Sequence, residues 1–305
     1  PIPMIGEFEC GVWHGYHEYT GALTPSHYRR IFAAARESGI KAINWYMLVG
    51  RDNWYYTPIN ERGDIRAELG EVFMDLHKSW RGESAAAPAA PARRDIAAYL
   101  DFEHIATDDM LANNPILQSL HDAGVPYDMW DTDLWPADRP APRILFYASA
   151  SWLPQRRQQA LLDYASAGGI LIFTRNWPRL DDRFGPCDVL SIAEPDMVLS
   201  HLGKKVEIQL PPCLNSTRAT VEPRGEPEGG LWTWDAKSLP KGAQPLLATQ
   251  VAGKQQAIEN ADKWMTNYLG RQWTVGAALP RNKGWIVMLG VPPTPELARA
   301  IAQLS

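Results

Sequence analysis

The sequence predicts an α/β protein built on parallel strands, in two parts. Three observations carry this. Residues 1–50 read as an apolar strand, an amphipathic helix and a second apolar strand. Residues 96–176 repeat that alternation. From about residue 205 to 280 the rhythm breaks into short, turn-bounded stretches, before a strand and a helix return. Alternation of this kind lays helices against a mostly parallel sheet.

The first part runs over residues 1–82. PIPMIGEF reads as a buried strand that carries Glu7, with Glu9 just beyond. TPSHYRRIFAAARESG reads as a helix. Thr24 is a good N-cap, Pro25 suits the first turn, and Gly39 marks the stop. Tyr28, Ile31, Phe32 and Ala35 fall at helical spacing and make one apolar face. IKAINWYMLVG is the next strand, so the three elements form a βαβ unit with a parallel pair. EVFMDLHKSW reads as a further helix.

Residues 83–95, ESAAAPAAPARRD, are dominated by Ala and Pro and lose all periodicity, so they read as a linker. The second part, 96–305, predicts a flavodoxin-like, three-layer α/β domain. Its strands are IAAYLDF, VPYDMWD, RILFYASASW and GGILIFTRN. Its helices are DDMLANNPILQSLHDAG, which tolerates Pro115, and PQRRQQALLDYASAG. VEIQLPP, ATVEP, LWTWD and WTVGAAL suggest β hairpins, a β-rich insertion at about 205–280. GWIVMLGV then rejoins the sheet, and PTPELARAIAQL closes the chain as a helix.

Composition narrows the function. Hydrophobic residues make up 45% of the chain and charged residues 21%, enough for a proper core. A net charge of -5 argues against a nucleic-acid partner, because phosphates need a basic face. No apolar run of about 18 residues is present, so no membrane span is expected. No leader is visible, which leaves the compartment open. Cys10, Cys187 and Cys213 make neither a disulfide framework nor a metal pattern, though a Cys187–Cys213 pair stays open. Thirteen tryptophans are many. Each serves equally as core filler or as a flat platform for the apolar face of a sugar.

Three motifs follow one another in the first part. Glu7-Phe8-Glu9-Cys10-Gly11 has a glutamate, an aromatic, two variable residues and a glycine. Asn44-Trp45-Tyr46-Met47 ends the second strand and leads to Gly50-Arg51-Asp52-Asn53-Trp54. YYTPINERG then precedes a helix with Asp75-Leu76-His77. This series resembles glycoside hydrolase family 35, the β-galactosidases, with a neighbouring barrel hydrolase family such as 42 left open. Arg51 and Asp52 stand where that family has a Gly and a Thr, so the substrate contacts there differ.

The resemblance implies that 1–82 are the last two βα units of a (β/α)8 barrel. Such barrels place their chemistry at the C-terminal ends of the strands. It implies Glu7 as the nucleophile of a retaining glycosidase, which attacks the anomeric carbon while a second carboxyl protonates the leaving oxygen. The other reading of Glu7 is a surface glutamate on an edge strand. Glu9 shares its face by alternation; the offset to Gly11 favours Glu7. Trp13, Tyr46, Asn53 and Trp54 would bind substrate, although Tyr46 also reads as a core tyrosine. The acid/base residue would lie outside this chain, since Asn60-Glu61 falls in the final loop. No metal or organic cofactor is implied.

A barrel of this class needs about 250 residues, so the N-terminal barrel portion of the same enzyme is an expected partner, beside the carbohydrate substrate. The second part resembles the class I glutamine amidotransferase-like domain found behind the barrel in several β-galactosidases. The turn Thr174-Arg175-Asn176 has no cysteine where a working amidotransferase carries its nucleophile, so no amide chemistry is expected. A structural role in a homo-oligomer is. A non-catalytic structural module and a carbohydrate-binding module remain as alternatives. For Trp232 and Trp234 packing on the domain beneath is preferred to sugar stacking. His104, His121 and His201 read as surface or satisfied core histidines, and Arg156-Arg157 as a solvated face.

Overall fold

The structure is a computed structural model that describes residues 4–13, 23–51, 54–84, 95–104, 114–133, 140–199, 206–221, 231–246, 248–251 and 273–303. The chain divides into two compact units, Pro1–Arg93 and Arg94–Ser305.

In the first unit, strand β1 (Met4–Glu9) leads to the short β2 (Val12–Trp13) and then to helix α1 (Pro25–Glu37). Thr24 caps α1, its side chain accepting from the His27 N–H, and Pro25 occupies the first turn. Strand β3 (Ala42–Tyr46) pairs parallel to β1, completing the βαβ unit. The short β4 (Trp54–Tyr55) pairs antiparallel to β2. Helix α2 (Ala67–Ser84) is longer at both ends than EVFMDLHKSW and runs into the stretch read as a linker. Residues 85–94 of that stretch lie outside the described residues.

Tyr28 and Phe32 of α1 meet Leu69, Val72 and Leu76 of α2 in a small core, with Trp45 of β3 packed against it. Strand β1 is not buried as expected; Met4, Gly6, Glu7 and Glu9 are exposed. The reason is physical. Two parallel strands have two open edges, and parallel sheets bury their faces only when wide and covered on both sides.

The second unit is built on a seven-stranded, mostly parallel sheet. Its strands are β5 (Ile96–Tyr99), β6 (Asp128–Trp130), β7 (Ile144–Tyr147), β8 (Ile170–Thr174), β13 (Gln244–Pro245), β16 (Gly276–Arg281) and β17 (Gly284–Leu289). The order across the sheet is β13-β16-β17-β8-β7-β5-β6. All pairs from β17 to β6 are parallel; β13 and β16 add an antiparallel edge.

The apolar runs split by twos. Ile96, Ile144, Ile172 and Val287 face one layer; Ala97, Leu145, Leu171 and Ile286 face the other. Helices α3 (Pro115–Asp122) and α5 (Pro295–Ala302) cover the first face, and α4 (Gln155–Ser166) the second. This is the three-layer pattern read from the sequence. Pro115 does not interrupt α3. It opens the helix after the N-cap Asn114, whose side chain accepts from the Ile116 and Leu117 N–H groups. The upstream part of that expected helix, 105–113, lies outside the described residues.

Within 205–280 the hairpins are present. Strands β10 (Val206–Gln209), β11 (Arg218–Val221) and β14 (Ala248–Val251) form one antiparallel sheet. Strand β12 (Leu231–Asp235) pairs with β9 (Met197–Leu199) and with β15 (Trp273–Thr274). Strands β13 and β16 instead belong to the large sheet. Cys10, Cys187 and Cys213 are all free, so Cys187 and Cys213 do not pair. Among the described residues no helix is long and apolar enough to cross a membrane.

Candidate functional site

Of the residues singled out in the first unit, Tyr46 and Trp54 lie where β1 and β3 end. The strands do not pair evenly. Ile5 is opposite Ile43 and Phe8 opposite Trp45, so β1 carries one extra residue at Gly6-Glu7. The Asn44 side-chain amide donates to the Gly6 carbonyl across this bulge at 3.0 Å. A bulge re-aims the side chains within it and is over-represented beside active sites. Strict alternation therefore does not relate Glu7 to Glu9. Both are exposed, Glu7 in the bulge and Glu9 opposite Tyr46.

Pairing continues past the strands. Cys10 N–H donates to the Tyr46 carbonyl at 2.8 Å, and Met47 N–H to the Cys10 carbonyl at 3.0 Å. The Tyr46–Met47 peptide is cis. The Trp54 indole N–H also donates to the Cys10 carbonyl, at 2.7 Å. That bond holds Trp54 against Tyr46, ring centroids 5.6 Å apart and nearly perpendicular. Tyr46 is 42% exposed, so it is not the core tyrosine of the alternative reading. Burial, with the nearby Glu9 carboxylate adding to it, pushes the Cys10 thiol up to about 12. That thiol is no nucleophile near neutral pH.

Gly11 closes the corner. Its φ is +88°, and a Cβ there would lie 2.6 Å from the Thr57 methyl, the Trp54 indole nitrogen and the Tyr55 carbonyl. Its N–H donates to the buried Tyr28 hydroxyl at 2.9 Å. Gly11→Ala is expected to destabilise the first unit by about 2–4 kcal/mol, from left-handed strain plus overpacking. Urea unfolding followed by tryptophan emission checks this; a loss below about 0.5 kcal/mol would show that the corner yields freely.

Trp13 pairs through its backbone with Trp54. Asn53 lies outside the described residues, as does Asp52. Glu61 sits exposed at the tip of a turn, which Asn60 Oδ1 holds by accepting from the Arg62 and Asp64 N–H groups at 2.9 and 2.8 Å. The structure thus brings Tyr46 and Trp54 into contact, next to the strand that carries Glu7.

Sequence reading missed a polar cluster in the second unit. Asp101 follows β5, is fully buried, and is ion-paired with Arg157 of α4. Arg157 also binds Asp133 at 2.7 Å. It is buried rather than solvated; Arg156 is the exposed member of that pair. The signal was spacing, since Arg157, Leu161, Tyr164 and Ala165 share the inner face of α4. His104 is fully buried and hydrogen-bonded to Ser149. Arg175, in the turn where an amidotransferase would carry its nucleophile, adopts φ +56°. Trp234 is core, donating to the Ala193 carbonyl at 2.9 Å, and Trp232 packs edge-on against Trp177 at 5.4 Å. Among the described residues no group of His, Cys, Asp or Glu could hold a metal ion.

Residues 100–194 match the family described as GLMA-like, second domain. No curated protein matches the chain in sequence. In fold the chain is similar to the β-galactosidase from Bacillus circulans sp. alkalophilus, at TM-score 0.65 and 13% identity, over 99% of this chain and 44% of that one. The β-galactosidase of the Antarctic haloarchaeon Halorubrum lacusprofundi gives TM-score 0.57 and 16% identity, over 90% of this chain and 39% of that one. The exo-β-1,4-mannosidase Op5Man5 from Opitutaceae bacterium strain TAV5 gives 0.51 and 11%, over 98% and 49%. A further similar structure is Gan42B, a GH42 β-galactosidase, at TM-score 0.57 and 10% identity, over 92% of this chain and 39% of that one; the likeness is one of fold and is not to family 35 specifically. The chain spans less than half the length of each of these proteins. What it shares with them is a mixed α/β fold with a large, mostly parallel sheet.

Proposed function

We propose that this chain is a portion of a retaining glycoside hydrolase acting on β-galactosides. Glu7 is its nucleophile, and the acid/base residue is supplied from outside the chain. The observation that carries this reading is the bulge at Gly6-Glu7. It sets an exposed carboxylate on one of two parallel strands whose ends hold the Tyr46–Trp54 aromatic corner. A carboxylate there opposes the positive charge that develops on the sugar, and the rings offer the sugar an apolar wall. In this reading β1 and β3 are the last two strands of a (β/α)8 barrel, and their open edges are covered by its N-terminal portion. Trp13 and Asn53 join Tyr46 and Trp54 in substrate binding.

The second unit has a structural, oligomerising role. It has no cysteine in the turn at Thr174–Asn176, and its buried Asp101–Arg157 pair is spent on internal contacts. The complete protein, barrel portion included, is expected to hydrolyse a chromogenic β-galactoside. The anomeric configuration should be retained, as read by proton NMR at early times, and activity should survive a chelator. An inverted product, or no hydrolysis by the complete protein, would overturn the reading.

A further inference from the structure

The second unit carries a surface that this reading leaves unused. Its sheet reverses direction of growth at β5, with β6 on one side and β7 on the other. In open α/β sheets ligands bind in the crevice beyond the carboxyl ends of the strands at such a reversal. The floor of that crevice is tied together by internal hydrogen bonds. Ser149 Oγ accepts from the Asp101 N–H at 3.2 Å and bonds His104 Nδ1, which also accepts from the Ala150 N–H at 3.3 Å.

Above the floor the residues are of another kind. Trp152 lies edge-on to His104, ring centroids 4.1 Å apart, and Phe184 lies 5.6 Å from Trp152. Phe184 is 65% exposed, yet its φ is +59°. A bulky residue in that conformation costs energy and persists where the surroundings impose it, most often at functional sites. Here Asp181 imposes it, its Oδ1 accepting from the Arg183 N–H at 2.9 Å and the Gly185 N–H at 2.8 Å. Phe102, just after β5, is 57% exposed. Among the described residues of this unit, Phe102 and Phe184 are two of the three large apolar side chains left exposed, Met129 being the third. At the same end of the sheet the buried Thr174 hydroxyl and the Gln158 carbonyl oxygen find no partner among the described residues. Buried polar atoms without partners call for a water or a ligand atom.

We infer that this crevice binds a saccharide, independently of what Glu7 does. The charge there does not favour an anion. Asp101, Glu103, Asp131, Asp133, Asp181 and Asp182 more than balance Arg156, Arg157, Arg175, Arg179 and Arg183, so there is no cationic excess. The turn ASASWLP into α4 lacks the glycines that let a backbone cradle phosphate. No three-ligand cation set is present among the described residues. An uncharged ligand with an apolar face and many hydroxyls fits what remains. The exposed rings take the apolar face, and the Glu103 carboxylate, 58% exposed while 3.7 Å from Arg157, has lone pairs left to accept from the hydroxyls.

The full chain is titrated with galactose and with lactose by calorimetry, as wild type, Phe184→Asn and Glu7→Gln. Asparagine tolerates the left-handed conformation and removes only the ring. Binding is expected to weaken at least about tenfold in Phe184→Asn. Equal binding in Phe184→Asn overturns the inference, as does no binding of either sugar by wild type. A native mass that changes in Phe184→Asn while sugar binding does not would also overturn it, and would make the patch a contact between copies. Binding lost in Glu7→Gln and kept in Phe184→Asn would belong to the other site and overturn the inference, while hydrolysis by the complete protein tests that other site, so the two readings fail separately.

Discussion

On the proposed assignment, Glu7→Gln in the complete protein is expected to lower turnover of a β-galactoside at least about a thousandfold, the scale of losses when a nucleophile is removed. The amide keeps the shape and cannot form the glycosyl ester, so KM should change far less than kcat. Folding should be unaffected within about 0.5 kcal/mol, because Glu7 is exposed. Glu9→Gln is the matched control. Glu9 faces Tyr46 across the strand pair and also sits beside Cys10. If Glu9→Gln is the dead variant and Glu7→Gln is active, the bulge has been read one carboxylate too early. If both are active, the first unit is not the catalytic end of a glycosidase.

The second large effect is on stability. Arg157→Ala should destabilise the second unit by roughly 3–5 kcal/mol, because it strands the fully buried Asp101 without its cation. That corresponds to a fall in Tm of the order of 10 °C in a domain of this size. Asp101→Asn combined with Arg157→Met should recover much of the loss, since a neutral pair leaves no buried charge. A loss of under about 1 kcal/mol for Arg157→Ala would mean that water reaches Asp101. Acid should act on the same cluster. The Arg156 guanidinium, with Arg157 behind it, holds the Asp133 carboxyl below the usual carboxylate range. The stabilisation from Asp133 is therefore complete above the ordinary aspartate pKa and is lost as pH falls through its depressed value. Asp133 is partly exposed, so this is the smaller of the two effects.

The sheet of the second unit was legible because its strands are apolar on both faces and its helices carry one-sided stripes. Ile144–Tyr147 and Ile170–Thr174 can be little else. The start of α1 was equally plain, since Thr24 precedes a proline; Thr294 caps α5 in the same way. The start of α3 was misjudged because Asn114-Pro115 was read as a helix interior, although it is a cap followed by a first turn. In the first unit the elements were readable and the register was not. Alternation assumes an even ladder, and one extra residue at Gly6-Glu7 breaks it. The corner formed by Tyr46 and Trp54 depends on a hydrogen bond to a backbone carbonyl, which residue types do not announce. Arg157 was missed for a related reason. Charge suggested solvent, while the helical phase, which decides, pointed inward.

The place of β17 in the sheet bears on how the second unit forms during synthesis. Trp285 pairs with Ile170 and Leu289 with Thr174, across more than a hundred residues of intervening chain. Strand β8, buried along its whole length, therefore waits on the ribosome with an open, apolar edge until β17 has emerged. Such long-range parallel pairing is slow to close. During that interval the same edge is a template for any other nascent chain, so the yield of this protein should depend on how fast β17 is delivered.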